Sequence, residues 1–177
     1  MNNDYSKVID GCLKRDPEAQ RELYRSFAPK MMAVCRRYIP DAEAAKDVLQ
    51  DGFVTLFDKL GSYKGDGSFE GWVRRIFVNT ALMQLRRNDA LKFSDEIELA
   101  DSVDNVKCDT LDSIQAGDLM KLINALPQGF RTVFNLYVIE GFDHSEIAKM
   151  LKISEGTSRS QLSRARAWLL ERIKRNE

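Results

Sequence analysis

Residues 143–170 constrain the fold more than any other stretch, because their apolar residues recur with the period of two short amphipathic helices joined by a tight turn. In the second helix Leu162, Ala165 and Leu169 form the stripe that is buried. Arginines and serines take up the rest of its surface: Arg159, Ser160, Ser163, Arg164 and Arg166. A helix of this kind fits the major groove of DNA. The alternative is a solvated basic face in an ordinary helical bundle.

Charge is segregated along the chain, although Lys and Arg together equal Asp and Glu at 27 each. Five basic residues and one acid lie between Arg74 and Lys92, and six basic residues and one acid between Arg159 and Arg175. Between these blocks, Ser94–Asp118 holds eight acids and one lysine. Because the local field decides what binds, two cationic helices remain compatible with nucleic acid despite a net charge of zero.

The cysteine spacing, the first residues of the sequence and the single histidine argue against several functional classes. The three cysteines have no metal-like spacing, and we expect them to be buried or free thiols in a reducing compartment. The polar first residues carry no signal-peptide pattern, and no apolar run reaches the roughly 20 residues of a membrane helix. We therefore expect a cytoplasmic protein without membrane insertion. His144 is the only histidine, and we predict no enzyme activity, no cofactor, no metal and no small-molecule substrate.

The fold is predicted to be all-α, with two small helical domains joined by an acidic linker. The apolar periodicity gives domains at 1–90 and 118–177 and a linker at 91–117, where the periodicity is lost. In the first domain we expect a kink or break at Pro29. The three glycines within 61–68 predict a loop before a helix that runs from Phe69 to about Arg87. That helix should direct Val73, Ile76, Phe77, Thr80 and Met83 inward.

Further helix boundaries follow from residues that cap or break helices. Asp16 before Pro17, and Asp41 after Pro40, predict helix starts. In the second domain, Asp143 with Glu146 forms a capping box. One apolar stripe between these regions consists of Phe130, Val133, Phe134 and Tyr137.

The loop and the basic helix of the first domain carry residues suited to single-stranded DNA. Arg75, Asn79 and Arg86 share one helix face, and Phe69 and Trp72 stand beside the glycine-rich loop. An unpaired base can stack on aromatic rings while arginines neutralise phosphates. Core packing is the alternative for both aromatic residues.

The chain resembles the extracytoplasmic-function (ECF) group of the bacterial sigma-70 family. The second domain resembles region 4 in Leu126–Pro127, Arg131, Phe134, the segment 141–147, and the run 154–157 leading into Ser160, Leu162 and Arg164–Arg166. The first domain resembles region 2 in Asp47, Gln50, Asp51, Phe53, Phe69, Trp72, Arg75, Ile76, Asn79 and Arg86–Arg87.

This resemblance implies a factor that binds RNA polymerase core, directs it to promoters and helps to open the DNA. Region 4 would read the −35 element through Arg159, Ser160, Ser163 and Arg164, with Thr157 and Arg166 on phosphates. Region 2 would bind and melt the −10 element through Lys64, Phe69, Glu70, Trp72, Arg75, Asn79 and Arg86. Asp47, Gln50 and Asp51 would dock the clamp helices of the largest polymerase subunit. An anti-sigma factor is the further partner implied.

Three residues depart from the family pattern. Lys152 stands in the turn where the family usually has glycine, Gln161 replaces a frequent basic residue, and Glu70 adds a negative charge beside the expected base pocket. Because of these departures no specific promoter sequence is carried over from the family, whereas the resemblance itself is unaffected.

Two other hypotheses remain at the level of sequence. The chain is alternatively a helix-turn-helix regulator that binds duplex DNA without polymerase, although such a regulator has no use for the glycine loop and the second arginine helix. The acidic linker is a solvated tether or an autoinhibitory segment that competes with DNA. Neutralising Asp95, Glu96, Glu98 and Asp101 would separate these two roles of the linker.

Overall fold

The computed structural model describes residues 5–87 and 116–175, and the regular structure in these ranges is helical throughout. This confirms the all-α prediction. The helices are α1 (Ser6–Leu13), α2 (Pro17–Tyr38), α3 (Ala42–Lys59), α4 (Phe69–Arg87), α5 (Ala116–Ala125), α6 (Gln128–Phe134), α7 (His144–Leu151) and α8 (Glu155–Arg175). A short 3₁₀ turn, Leu60–Ser62, follows α3, and a π-helical turn, Asn135–Ile139, follows α6.

Packing divides the chain into two compact units, and the boundary between them in the sequence follows Arg87. The predicted linker, 91–117, lies almost wholly outside the described residues. Its last two positions, Ala116 and Gly117, instead begin α5. Helix α1 was not expected from the sequence; it packs against α2 and buries Cys12.

The first unit is a bundle in which α2, α3 and α4 pack on one another. Asp16 and Asp41 cap α2 and α3 as predicted, by accepting hydrogen bonds from the N–H groups of Glu18 and Ala44 at 3.0 and 2.8 Å. The capping positions therefore follow from the sequence.

Pro29 does not break α2, which continues from Pro17 to Tyr38. A proline inside a helix removes one backbone hydrogen bond and costs roughly 3 kcal/mol. The ring of Pro29 lies on the exposed side, whereas Leu23, Phe27 and Met31 are buried on either side of it. Burial of this stripe holds the helix together past the proline.

Gly52 sets how closely α3 approaches α4. A Cβ atom added at Gly52 would lie 2.4 Å from Cε1 of Phe77, well inside van der Waals contact. The Phe77 ring is fully buried and packs edge-on against Phe53, with 5.1 Å between ring centroids. Only a residue without a side chain fits between these helices.

The inward face of α4 differs from the prediction at Thr80 and Met83. Val73, Ile76 and Phe77 are buried as expected, but Thr80 is half-buried and Met83 is 51% exposed. Both residues line a groove between α3 and α4. The apolar period alone did not reveal this opening.

The second unit has its core between α5 and α8. Ile123 of α5 and Leu126, the residue just after α5, pack with Ala165 and Leu169 of α8. Arg131 is buried at the turn between α5 and α6 and donates hydrogen bonds to the carbonyl oxygens of Asn124 and Leu126. The guanidinium thus caps the C-terminal end of α5, and burial lowers its pKa.

Tyr137 is not part of the inward stripe that was predicted. The π-helical turn has more residues per turn than an α-helix, which changes the phase of the side chains. Leu136 is buried, whereas Tyr137 and Val138 are exposed at the surface. Gly141, with φ +78°, follows this turn.

Two of the three cysteines lie in the described residues, and both are buried free thiols, as predicted. Burial raises the pKa of the Cys35 thiol to about 12. Within the described ranges, no helix has the length and apolar character needed to cross a membrane.

We expect Gly52→Ala to destabilise the first unit by about 1–3 kcal/mol, because the new methyl group overpacks the Phe77 ring. Chemical denaturation followed by circular dichroism measures the change. Gly71→Ala is the matched control, since its Cβ would meet only the Ser68 Cβ at 3.8 Å and its φ is not positive. That substitution should be neutral or slightly stabilising. Equal stability of the two variants would contradict the close-packing argument.

Candidate nucleic-acid interface

The second unit contains a helix-turn-helix formed by α7 and α8. Asp143 accepts from the N–H of Glu146 at 2.8 Å, and the Glu146 carboxylate accepts from the N–H of Asp143 at 3.0 Å. This is the predicted capping box, and the backbone bond from Glu146 lowers the pKa of Asp143. Lys152 ends α7 in the left-handed conformation, with φ 58° and ψ 45°. The turn therefore keeps the geometry that glycine would supply.

One face of α8 is buried against the rest of this unit. It consists of Ser158, Gln161, Leu162, Ala165 and Leu169. Gln161 stands where the family frequently has a basic residue. It is 5% exposed and belongs to this inward face. Its side chain is thus excluded from a direct base contact in this conformation.

The predicted −35 residues occupy the remaining surface of α8. Arg159, Ser160 and Arg166 are exposed. Thr157, Ser163 and Arg164 are half-buried at the margins of that surface. The structure therefore brings all six side chains onto one continuous side of the helix, outside the core.

Local hydrogen bonds hold some of these side chains along the helix. Arg159 Nη2 donates to Glu155 Oε2 at 2.8 Å, and Ser160 Oγ donates to the Thr157 carbonyl at 3.0 Å. An exposed ion pair one turn apart contributes under about 1 kcal/mol. Arg159 can therefore exchange Glu155 for a base edge or a phosphate at little cost.

His144 links α7 to α8. Its Nδ1 lies 2.8 Å from Oγ of the fully buried Ser158, and its ring stacks on Tyr137, with centroids 4.5 Å apart. Burial and the charges of Arg159 and Arg166 lower the pKa of His144. The sequence analysis used this histidine only in the argument against an enzyme.

The glycine-rich loop of the first unit has a defined conformation. Gly65 and Gly67 adopt φ of +81° and +86°, which glycine tolerates best. The Tyr63 hydroxyl donates to the Gly67 carbonyl at 3.0 Å and so ties one end of the loop to the other. Lys64 is exposed within it.

Phe69 and Trp72 differ in their availability to DNA. Phe69 is 6% exposed and contacts Tyr5, Phe27 and Tyr63, with ring centroids 5.0–5.6 Å apart. Its ring belongs to the core under the loop, so the structure does not offer Phe69 itself as a stacking surface. Trp72 is half-buried on the same cluster and keeps part of its ring at the surface.

Glu70 is neutralised by a lysine that the sequence gave no reason to select. Lys30 Nζ lies 3.0 and 2.9 Å from the two carboxylate oxygens of Glu70, and this hydrogen bond raises the pKa of Lys30. The pair joins α2 to the start of α4. The negative charge that the sequence placed beside the base pocket is therefore compensated.

The predicted face of α4 is present, because Arg75, Asn79 and Arg86 are all exposed. Asn79 also lines the groove of about 280 Å³ between α3 and α4. Asp51 of α3 lines the same groove. Residues predicted separately for DNA and for polymerase thus lie on neighbouring surfaces.

The α3 residues predicted to bind polymerase are all exposed: Asp47, Gln50 and Asp51. Val54, one turn after Asp51, is 61% exposed and lies on the wall of the groove opposite Met83. Val54 and Met83 therefore give this groove two exposed apolar side chains next to the predicted polar residues. The sequence analysis did not select Val54.

Residues 23–91 match the family described as Sigma-70 region 2, and residues 116–169 match Sigma-70, region 4. The RNA polymerase sigma-H factor of Pseudomonas aeruginosa is 30% identical over 172 residues, covering 90% of this chain and 89% of that protein. The chain belongs to the ECF group of the sigma-70 family.

Other relatives agree with this membership. The ECF RNA polymerase sigma-E factor of Escherichia coli is 26% identical over 170 residues, with 90% of this chain and 88% of that protein covered. The sigma factor RpoE of Bartonella quintana, solved with the anti-sigma factor NepR, has a TM-score of 0.54 at 23% identity and covers 87% of this chain and 96% of that chain. CnrH, solved with the cytosolic domain of CnrY, has a TM-score of 0.51 at 20% identity, with 96% and 97% covered. These two structures establish likeness of fold.

As a sigma factor, the protein functions in transcription initiation, and its relatives are not enzymes. The described residues contain no cluster of His, Cys, Asp and Glu suited to a metal ion.

We expect Tyr63→Phe to loosen the glycine loop of this sigma factor without unfolding the first unit. Losing one partly exposed hydrogen bond costs roughly 0.5–1.5 kcal/mol, and the aromatic packing of the ring is kept. Hydrogen exchange of the amides in 64–68 should then be several-fold faster. Tyr24→Phe, which removes a hydroxyl on α2, is the control. Unchanged exchange in the loop would show that the hydroxyl does not hold it.

Proposed function

We propose that this sigma factor binds RNA polymerase core through α3, reads a −35 element through α8 and binds and opens a −10 element through α4 and its preceding loop. The observation that carries the proposal is that all the predicted contact residues except the buried Phe69 are exposed or half-buried, on two separate units that each match the corresponding sigma region. Such a protein works with polymerase and performs no covalent step itself.

The −35 contact is supported by the chemistry of the α8 surface. Arg159 and Arg164 can each make a bidentate contact to guanine, which discriminates between bases by about 1–3 kcal/mol. Thr157 and Arg166 lie at positions suited to phosphates, whose contacts fix the register of the helix without reading sequence. Ser160 and Ser163 supply hydroxyls between these arginines.

The −10 contact requires that a base leave the stack, and the first unit offers partners for it. Stacking and pocket contacts contribute about 1–3 kcal/mol per base, comparable to the few kcal/mol that unstacking costs. Trp72 supplies an accessible ring edge, Asn79 an amide, and Arg75 and Arg86 the positive charges. Phe69 supports the loop from beneath, and the Lys30–Glu70 pair removes a repulsive charge.

The polymerase contact is assigned to the exposed side of α3. Asp47, Gln50 and Asp51 would pair with basic and polar groups of the clamp helices and fix their register. Val54, which follows these three residues along α3 and lines the groove, adds an apolar contact.

We further propose that a regulatory protein covers one or both units in the cytoplasm and releases them on a signal. The Bartonella quintana sigma factor of similar fold was solved with an anti-sigma factor. The α3 surface, with its exposed Val54, is a candidate for competition between such a regulator and polymerase.

Capture of the chain by purified core polymerase, followed by transcription from a promoter library, tests the proposal. Asp51→Asn combined with Val54→Asp should weaken core binding by tenfold or more, because one change removes an ionic contact and the other places a charge in an apolar contact. Glu22→Gln, on an exposed position of α2, is the control. Promoter-specific DNA binding by the chain without core would favour an independent regulator instead.

Arg159→Ala and Arg164→Ala should each reduce discrimination at the −35 element by about 1–3 kcal/mol, roughly tenfold in transcription from matched over mismatched promoters. Arg21→Ala, which removes an exposed positive charge outside the helix-turn-helix, should leave that ratio unchanged. An equal loss on all promoters for the α8 variants would rule out base reading by these two arginines.

Asn79→Ala should instead slow DNA opening, which is measured by the permanganate reactivity of unpaired thymines.

A further inference from the structure

His144 is held in one orientation at the point where α7, the π-helical turn and α8 meet. Oγ of Ser158 lies 2.8 Å from Nδ1 of His144, and the ring of Tyr137 stacks on the imidazole with an interplanar angle of 22°. Because Ser158 is fully buried, Nδ1 points toward the protein. The opposite ring nitrogen, Nε2, is the one that remains for an external partner.

Two arginines and two carboxylates act on the charge of the His144 ring. Burial, Arg159 and Arg166 lower the pKa of His144, whereas Glu155 and the capping carboxylate of Asp143 act in the opposite direction. In the free protein burial, together with the two arginines, outweighs the two carboxylates, so the pKa of His144 lies below its usual value. An anion placed among these groups would reverse that balance.

A helix-turn-helix brings such an anion to this place. When the second helix lies in the major groove, the first helix crosses the sugar-phosphate backbone. His144 is the first residue of that first helix and is hydrogen-bonded to the second. We propose that His144 contacts a phosphate of the promoter duplex and takes up a proton from solvent as the duplex binds. This role rests on the proposed binding of duplex DNA by α8.

Proton uptake fixes the sign of the pH dependence. The pKa of His144 is higher in the complex than in the free chain, so the complex binds more protons. The added affinity is fully present below the free pKa and is lost as pH rises through the pKa of the complex. Each unit of difference between the two pKa values corresponds to about a tenfold change in affinity.

Nuclear magnetic resonance tests the idea directly, because His144 is the only histidine in the chain. The imidazole carbon-bound protons of the full chain are titrated with pH, alone and with a mixed-sequence DNA duplex at low salt. We expect the pKa to rise when the duplex is added. A pKa that stays the same or falls would overturn the proposal.

A second experiment measures the affinity for the duplex as a function of pH, for the wild-type chain and for His144→Gln. Glutamine keeps a polar group within reach of Ser158 but does not titrate. The wild-type chain should bind the duplex on the order of tenfold more tightly near pH 5.5 than near pH 8, and the variant should show a much flatter profile. Parallel profiles for the two chains would count against proton uptake at His144.

Failure of this inference can be told apart from failure of the proposed function. If binding depends on Arg159 and Arg166 while the His144 pKa is insensitive to DNA, α8 still binds the duplex and only the histidine role is lost. If neither arginine affects binding to duplex DNA, the assignment of α8 itself is lost.

Discussion

The side chains that α8 buries determine which face of the helix is exposed to solvent. Ser158, Leu162 and Ala165 face the rest of the second unit, and a helix can present to solvent only the side chains that remain. The arginines reach outward for this reason, and no arginine contact is needed to place them. The capping box of α7 and the left-handed turn at Lys152 then fix the direction from which α8 enters.

The first unit depends on a comparable constraint at Gly52. Close approach of α3 and α4 at this point buries Phe53 and Phe77 together. The groove lined by Asp51 and Asn79 lies beside this contact, between the same two helices. Close packing at Gly52 thus fixes the spacing of the two helices whose exposed sides we assign to polymerase and DNA.

Periodicity and capping chemistry predicted most of the helices, because both act within a few residues. Asp16, Asp41 and Asp143 cap where expected. Features that depend on contacts across the fold were not accessible: the π-helical turn that exposes Tyr137, and the helix that continues past Pro29 because its buried stripe outweighs a missing hydrogen bond.

The same distinction holds for the candidate site. The arginine faces of α4 and α8 followed from helical spacing. For Phe69 the sequence left a stacking role and core packing open, because its ring is buried by partners as distant as Tyr5 and Phe27. Ser158 was within reach of the periodicity, since it lies four residues before Leu162 on the inward face. Lys30 was not, because forty residues separate it from Glu70.

The Lys30–Glu70 pair is exposed on both sides, with about half of each side chain accessible. Dissolved ions weaken such a pair, and the same ions compete with arginines for phosphates. In the proposed complex, raising ionic strength would weaken both the contacts of the arginines with phosphates and the tie that Lys30 makes between α2 and the start of α4. The same ions screen Glu70 from the phosphates, so opening the pair adds little repulsion. The consequence of added salt for the first unit therefore lies in the lost connection between two helices.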